Sequence, residues 1–172
     1  MSTSTFSTHA EGATSQADWV RRLAPGLVAG IVFAMWAMVV GIFTSTLWAA
    51  PQGIAQSIGI GSPGHDFQIV AFFVGLMGHM MNSVLFGVIF TAVAVGVLRL
   101  RGWGLLLAGM MYGVVLYAIM YDLVLRGILA SNSASFLSAN PEWSWIAGHV
   151  MYGVALAGLL AYGPLSGARQ SE

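Results

Sequence analysis

Four long runs of apolar residues, separated by polar or glycine- and proline-rich stretches, dominate the chain. The runs extend over residues 23–49, 67–98, 104–125 and 143–162. About 20 apolar residues suffice for a helix to cross a bilayer, so each run predicts one transmembrane helix. The stretches 51–66 and 131–140 between the runs are predicted to be loops. The pattern therefore predicts an all-α polytopic membrane protein with four transmembrane helices.

All basic residues except Arg126, which lies at the outer end of the third helix, fall on one side of the predicted helices. Arg21 and Arg22 precede the first helix, Arg99 and Arg101 lie between the second and third, and Arg169 follows the fourth. By the positive-inside rule, both chain termini are predicted to be cytoplasmic. Residues 1–22 and 164–172 then form cytoplasmic tails, and the first is predicted to be mobile because it lacks apolar periodicity. The first apolar run exceeds the roughly 7 to 15 residues of a signal-peptide core, which indicates a retained anchor.

The composition excludes several classes of protein. Hydrophobic residues make up 58% of the chain and charged residues 7%, against about 25% charged residues in soluble domains. This composition excludes a soluble globular protein and makes the lipid bilayer the expected environment. Six basic and six acidic residues balance, with no lysine, so no basic patch predicts a nucleic-acid partner. The lack of cysteine excludes disulfides, iron–sulfur clusters and thiolate zinc sites.

A short pattern occurs twice along the chain. Glycine pairs four residues apart occur in the first and third helices, as Gly26-x-x-x-Gly30 and Gly109-x-x-x-Gly113. A Gly-His pair occurs in the second and fourth helices, as Gly78-His79 and Gly148-His149. Two spans return the chain to its starting side, so the duplication predicts two parallel helix-pair repeats related by an axis along the membrane normal. His79 and His149 are then symmetry mates.

Small and polar residues share a helical face with each histidine. Asn82 lies on the face of His79, and Tyr152 lies on the face of His149. Polar groups facing lipid are unfavourable, so both histidines are predicted to point into the bundle. Eight glycines are predicted to allow close helix packing: Gly26, Gly30, Gly78, Gly87, Gly109, Gly113, Gly148 and Gly153. The first two serve either internal packing or contact with a second copy in a homodimer.

Asp122 is the only carboxylate expected within a span, and Arg126 follows it by one helical turn. Counting residues from the outer loop puts Asp122 at the depth of His149. The two charges are interpreted as an interfacial ion pair that fixes the tilt of the third helix. In the alternative interpretation, Asp122 orients a histidine or relays protons.

Three hypotheses fit the two inward histidines. In the first, each ring forms a structural hydrogen bond across a helix interface. In the second, the pair responds to protons, since histidine titrates near physiological pH. In the third, His79 and His149 are the axial ligands of a b-type haem in a membrane cytochrome subunit. Copper(I) could use nearby methionines, but Met80 and Met81 point about 100° apart on a helix, so no metal site is predicted.

The familiar catalytic motifs do not occur in the sequence. It has no P-loop, no His-Glu-x-x-His and no Gly-x-Ser-x-Gly. We therefore expect no catalytic residues. A further alternative is an accessory subunit, which would pack against a larger membrane complex through its glycine-rich faces.

The Gly-His pairs of alternate helices, together with Leu-Leu-Leu-Ala-Gly at residues 105–109, resemble the YagU-type small bacterial inner-membrane proteins. The resemblance extends over residues 64–162. It implies a multi-pass protein of the bacterial inner membrane with a role in acid tolerance and no settled biochemical activity. We therefore predict a small, non-catalytic inner-membrane protein that responds to acid through His79 and His149.

Overall fold

The structure is a computed structural model that describes residues 7–163, with side chains from Leu23 onward. It contains α1 (Ser7–Thr44), α2 (Ala49–Ser57), α3 (Ile69–Phe90), α4 (Gly102–Tyr117), α5 (Ala130–Ala139) and α6 (Glu142–Tyr162). Two of them continue as π-helical segments, Thr91–Val97 after α3 and Ala118–Ile128 after α4. No strand occurs in residues 7–163, so the predicted all-α class is confirmed.

Four helices are long and apolar enough to cross a membrane. They are Leu23–Thr44, Ile69–Val97, Gly102–Ile128 and Glu142–Tyr162, here named the first to fourth spans. Less than half of each span is buried within the chain, and large apolar side chains such as Phe43 (83% exposed) face outward. Such surfaces fit contact with hydrocarbon, so the predicted four-span membrane protein is confirmed.

The two predicted tails fall partly outside the described structure. Residues 1–6 and 164–172 lie outside the described residues. From Ser7 onward the backbone is helical and continues into the first span. No glycine or proline occurs between residues 13 and 24, so the local sequence contains no helix-breaking residue there.

Two short helices, α2 and α5, cover one end of the spans and are here called the cap. The sequence predicts loops in both places, and this prediction is wrong. Pro51 lies in the first turn of α2, where its missing N–H breaks no helical hydrogen bond. The cap helices pack on each other where the ring of Phe136 lies over Gly53. With 9 and 10 residues, both helices are far shorter than the apolar runs that identify a span.

The spans pack in the order second, first, fourth, third. Close packing joins α3 to α1, α1 to α6, and α6 to α4. The second and third spans meet far from the cap, where the Tyr112 hydroxyl donates to the carbonyl oxygen of Phe86 at 2.8 Å. Nearer the cap, α3 and the segment Ala118–Ile128 are not closely packed. The bundle is therefore less tightly closed on this side.

Glycines determine the packing of the first helix pair. Gly26 lies against Ser83 and Gly87, so close that a side chain at either glycine would meet backbone atoms of the other helix. Gly30 lies against the side chain of Ser83. Ser83 and Gly87 follow His79 by four and eight residues. The Gly26-x-x-x-Gly30 pattern thus serves packing within the chain.

The second helix pair packs in the same register. Gly109 lies against Gly153 and Ala157, which follow His149 by four and eight residues. This is the spacing of the two residues that face Gly26 in the first pair. Equivalent positions therefore meet in both halves, as the predicted repeat requires.

The two Gly-His pairs, Gly78-His79 and Gly148-His149, do not have equivalent surroundings. Gly148 lies against the ring of Phe33, and Gly113 lies against the backbone of His149. Gly78, by contrast, would meet nothing within 4 Å if it carried a Cβ atom, so the prediction that it serves packing is wrong. The fourth span has a neighbouring span on each of two sides, whereas the second span packs closely on the first span alone.

Candidate functional site

A cavity of about 310 Å³ lies between the spans and beneath the cap. All four spans and both cap helices contribute to its walls. His79 and His149 both line it, in agreement with an inward orientation. Among the described residues that line it there is no Asp, Glu, Lys or Arg. The two imidazoles are therefore the side chains lining this cavity that can take up a proton and become positively charged.

Phe33 on the first span contacts both imidazoles. The centroid of its ring is 5.2 Å from that of His79 and 4.7 Å from that of His149, and both contacts are edge-on. The two histidines thus lie at a similar depth, although His79 is ten residues from the start of α3 and His149 seven from the start of α6. Sequence reasoning missed Phe33, whose only signal is its position three residues after Gly30.

His79 is held by a hydrogen bond to the first span. Its Nε2 lies 3.0 Å from the carbonyl oxygen of Gly30. A carbonyl oxygen only accepts, so Nε2 carries a hydrogen and, in the neutral ring, Nδ1 holds the lone pair. Nδ1 has no hydrogen-bond partner among the described residues. Gly30 therefore both admits the second span closely and fixes the tautomer of His79.

His149 is 5% exposed and is held within its own helix. Its Nδ1 lies 2.8 Å from the carbonyl oxygen of Trp145, one turn earlier. By the same argument, Nδ1 carries a hydrogen and Nε2 of the neutral ring holds a lone pair. Nε2 has no hydrogen-bond partner within residues 23–163. Each imidazole thus keeps one nitrogen free to accept a hydrogen bond or a proton.

Tyr152 and Asn82 occupy equivalent positions in the repeat, and both line the cavity. The Tyr152 hydroxyl donates to the carbonyl oxygen of Ser83 at 2.5 Å, and the Ser83 hydroxyl donates to the carbonyl oxygen of His79 at 2.8 Å. Asn82 is exposed and makes no hydrogen bond to any described residue. Tyr152 therefore links the second and fourth spans, whereas the Asn82 amide is available to another molecule.

Asp122 and Arg126 lie outside the cavity. Their side chains are 51% and 55% exposed, and the Arg126 Nη1 lies 3.4 Å from the Asp122 Oδ1. The ion pair predicted from their spacing is present, but neither residue lines the cavity with His149. The expectation that Asp122 orients a histidine is therefore wrong. Depth along a helix can be counted from the sequence, but depth does not determine the direction of a side chain.

A different carboxylate, that of Glu142, is linked to His149 through the side chain of Tyr117. The Tyr117 hydroxyl donates to its Oε1 at 2.7 Å, and the Tyr117 ring lies edge-on to His149 with a centroid separation of 6.2 Å. Sequence reasoning missed both Glu142 and Tyr117 at this site. Tyr117 is the last residue of α4, and no sequence pattern pairs it with α6.

The geometry does not favour haem or copper. Nε2 of His79 is used by the Gly30 carbonyl, and Phe33 packs against both imidazoles. The described residues contain no group of three or more His, Cys, Asp or Glu side chains that could hold a metal ion. Met77 and Met81 are 63% and 68% exposed and do not line the cavity.

Comparison of the chain with protein-family models, curated proteins and solved structures found no match. The resemblance to YagU-type proteins therefore stays a prediction. The argument for function rests on the cavity and its two histidines.

Proposed function

We propose that the protein is a non-catalytic inner-membrane protein that responds to acid by protonation of His79 and His149. The observation that carries the proposal is the shared cavity, which is lined by two imidazoles that each have one ring nitrogen without a hydrogen-bond partner among the described residues. The capped end then faces away from the cytoplasm, as the distribution of arginines predicts. Protons from outside would reach the cavity from the capped end.

Protonation changes what the cavity must accommodate. A proton on either free nitrogen creates a positive charge, and a charge in an apolar space is unfavourable unless it is paired or hydrated. No described carboxylate lines the cavity, and Glu142 is reached from His149 only by way of Tyr117. The charge therefore favours the entry of water or an anion, which a wider cavity admits more readily.

The weakly packed side of the bundle is where such opening costs least. If both rings are charged, they also repel each other across Phe33, because like charges at short range interact strongly outside bulk water. The second and fourth spans, which carry the two histidines, are not a closely packed pair. We expect the second span to move away from the third and fourth spans at low pH.

A distance measurement between spin labels tests this proposal. The chain has no cysteine, so the substitutions Met77→Cys on the second span and Leu123→Cys on the third provide two exposed labelling sites. In lipid nanodiscs, the label separation should increase as the pH falls from about 7.5 to about 4, because the imidazoles take up protons on acidification. The same increase should be absent from His79→Phe/His149→Phe and retained in His65→Gln.

His65 is a suitable control because it is exposed next to Ser45 at the capped end and does not line the cavity. An unchanged separation in the labelled parent chain would contradict the proposal. So would an increase that persists in the double histidine variant, because another group would then cause it.

A further inference from the structure

The cavity reaches the surface between the second and third spans. Leu76 and Asn82 on the second span and Met120 and Val124 on the third all line it, and these stretches are not closely packed on each other. Asn82 is exposed although it lines the cavity, which places it at the mouth. This mouth opens within the membrane-spanning part of the chain. A molecule dissolved in the bilayer can therefore enter sideways.

The cap makes the opposite route apolar. Ile54 of α2 and Phe136 of α5 line the cavity at its capped end, where they pack with Leu125 and Leu129. Polar solutes would have to pass between these side chains. The geometry thus favours entry from the lipid, and not from the aqueous phase, for any molecule larger than water.

Most polar groups of the cavity already have partners inside the chain. The hydroxyls of four lining residues donate to backbone carbonyl oxygens: Ser57, Ser83, Ser144 and Tyr152. The groups without a partner among the described residues include the free nitrogens of His79 and His149 and the amide of Asn82. In the neutral state the two imidazoles are acceptors, so they require a molecule that donates hydrogen bonds.

One further group requires an acceptor. Trp145 lines the cavity, and its indole N–H is buried with no hydrogen-bond partner among the described residues. Its ring packs against that of Phe136 with centroids 4.9 Å apart, so the indole lies at the capped end of the cavity. A hydroxyl group both donates and accepts, so it can donate to an imidazole nitrogen and accept from a donor such as the Asn82 amide.

The geometry points to a neutral, membrane-soluble alcohol or phenol as the ligand of this cavity. The hydroxyl of the ligand binds at the histidines. Its apolar part lies between the aromatic side chains of Phe33, Phe86 and Trp36 and extends to the mouth of the cavity. The volume of about 310 Å³ is at the lower end of the roughly 300–1,000 Å³ typical of small-molecule sites.

This inference rests on the proposed function in one respect, namely that the imidazoles are neutral at neutral pH and charged in acid. A protonated imidazole has no lone pair to accept the ligand hydroxyl. Proton uptake and ligand binding therefore compete for the same nitrogens. Ligand should leave the cavity in acid, and bound ligand should shift the acid response to lower pH.

Equilibrium binding of tritiated 4-hexylphenol to the full chain in phosphatidylcholine nanodiscs tests the inference, with empty nanodiscs to subtract partitioning. We expect saturable binding at neutral pH, with one site per chain. The methyl ether 4-hexylanisole has the same body but donates no hydrogen bond. Since one hydrogen bond contributes about 0.5–1.5 kcal/mol, the ether should compete about 2- to 12-fold more weakly.

Variants locate the binding site. His79→Phe/His149→Phe keeps two rings but removes both acceptors, and should weaken 4-hexylphenol binding by about 2- to 12-fold, because the single hydroxyl hydrogen donates to one acceptor at a time. Asp122→Asn, outside the cavity, should leave it unchanged. Val124→Trp at the mouth should slow association of the phenol. If the double variant does not fold, the comparison of phenol and ether in the parent chain still decides.

Equal binding of phenol and ether, or no saturable binding, would overturn this inference. The two proposals fail separately. An acid-dependent change in label separation without phenol binding leaves the proton response intact and removes the ligand. Phenol binding at neutral pH without any acid response keeps the ligand and removes the proton response.

Discussion

The hydroxyl of Tyr152 on the fourth span donates a 2.5 Å hydrogen bond to the carbonyl oxygen of Ser83 on the second. These spans are not a closely packed pair, so the bond joins them directly beside the cavity. Ser83 also lies against Gly30, whose carbonyl oxygen accepts from His79. The position of His79 is thus coupled to the fourth span through backbone groups.

Tyr152→Phe should weaken this link. It removes one hydrogen bond but keeps the ring, so the free energy of unfolding should fall by about 0.6 kcal/mol, and by no more than about 1.7 kcal/mol, as for other bonds between membrane helices. Reversible unfolding in mixed detergent micelles measures the change. Tyr162→Phe is the matched control, because Tyr162 is 63% exposed and its loss should have no effect. Equal effects of both would contradict the assigned role.

Two glycine substitutions should differ in sign or size. Gly153→Ala places a methyl group against the backbone of Gly109 and should cost about 1–3 kcal/mol, as for overpacking in other cores. In Gly78→Ala the added methyl group meets nothing within 4 Å, so the temperature of unfolding in detergent should be unchanged or slightly higher. A loss at Gly78 as large as that at Gly153 would refute the packing described for the two halves.

Phe33→Leu should alter the environment of both histidines at once. The edge of the Phe33 ring contacts both imidazoles, so its loss should move the ring carbon and nitrogen resonances of both in NMR spectra of histidine-labelled protein. Phe43→Leu changes the most exposed phenylalanine of the same span and should move neither. If only one histidine responds to Phe33→Leu, the two rings do not share a site.

Asp122→Asn should leave the acid response intact. The Asp122–Arg126 pair is half exposed and lies outside the cavity. Exposed ion pairs contribute about 0.2–1 kcal/mol at most, so the stability should change little. The label separation at low pH should increase as in the parent chain. If Asp122→Asn abolished that increase, Asp122 would take part in the acid response, contrary to its position outside the cavity.

The spans could be predicted because each is a long apolar run, and the repeat because a glycine pair four residues apart and a Gly-His pair each occur twice in the same order. The cap could not be predicted, since α2 and α5 are short and become helical by packing on the spans and on each other. The inward histidines followed from the helical face that they share with Asn82 and Tyr152. The hydrogen-bond partners of these histidines could not be predicted, because they are the backbone carbonyl oxygens of Gly30 and Trp145, and every residue has such an oxygen.

Two site residues illustrate the limit of the sequence. Phe33 is one of nine phenylalanines, and only its position three residues after Gly30 distinguishes it locally from Phe43, which faces outward. Asp122 was a candidate because it is a charged residue within a span. Its carboxylate, however, pairs with Arg126 on the exposed surface, outside the cavity. Which side chains meet in three dimensions depends on the packing order of the spans, and this order is not contained in the hydropathy pattern.

The most direct measurement is the protonation state of the two cavity histidines as a function of pH. Substituting His9→Gln and His65→Gln removes the other two histidines, so ¹⁵N-histidine NMR of the folded protein in nanodiscs reports His79 and His149 alone. The account predicts Nε2–H and Nδ1–H tautomers, respectively, at about pH 8 and growing imidazolium signals from both rings as the pH is lowered to about 4. If both rings keep their neutral signals throughout this range while the protein stays folded, the central claim is contradicted.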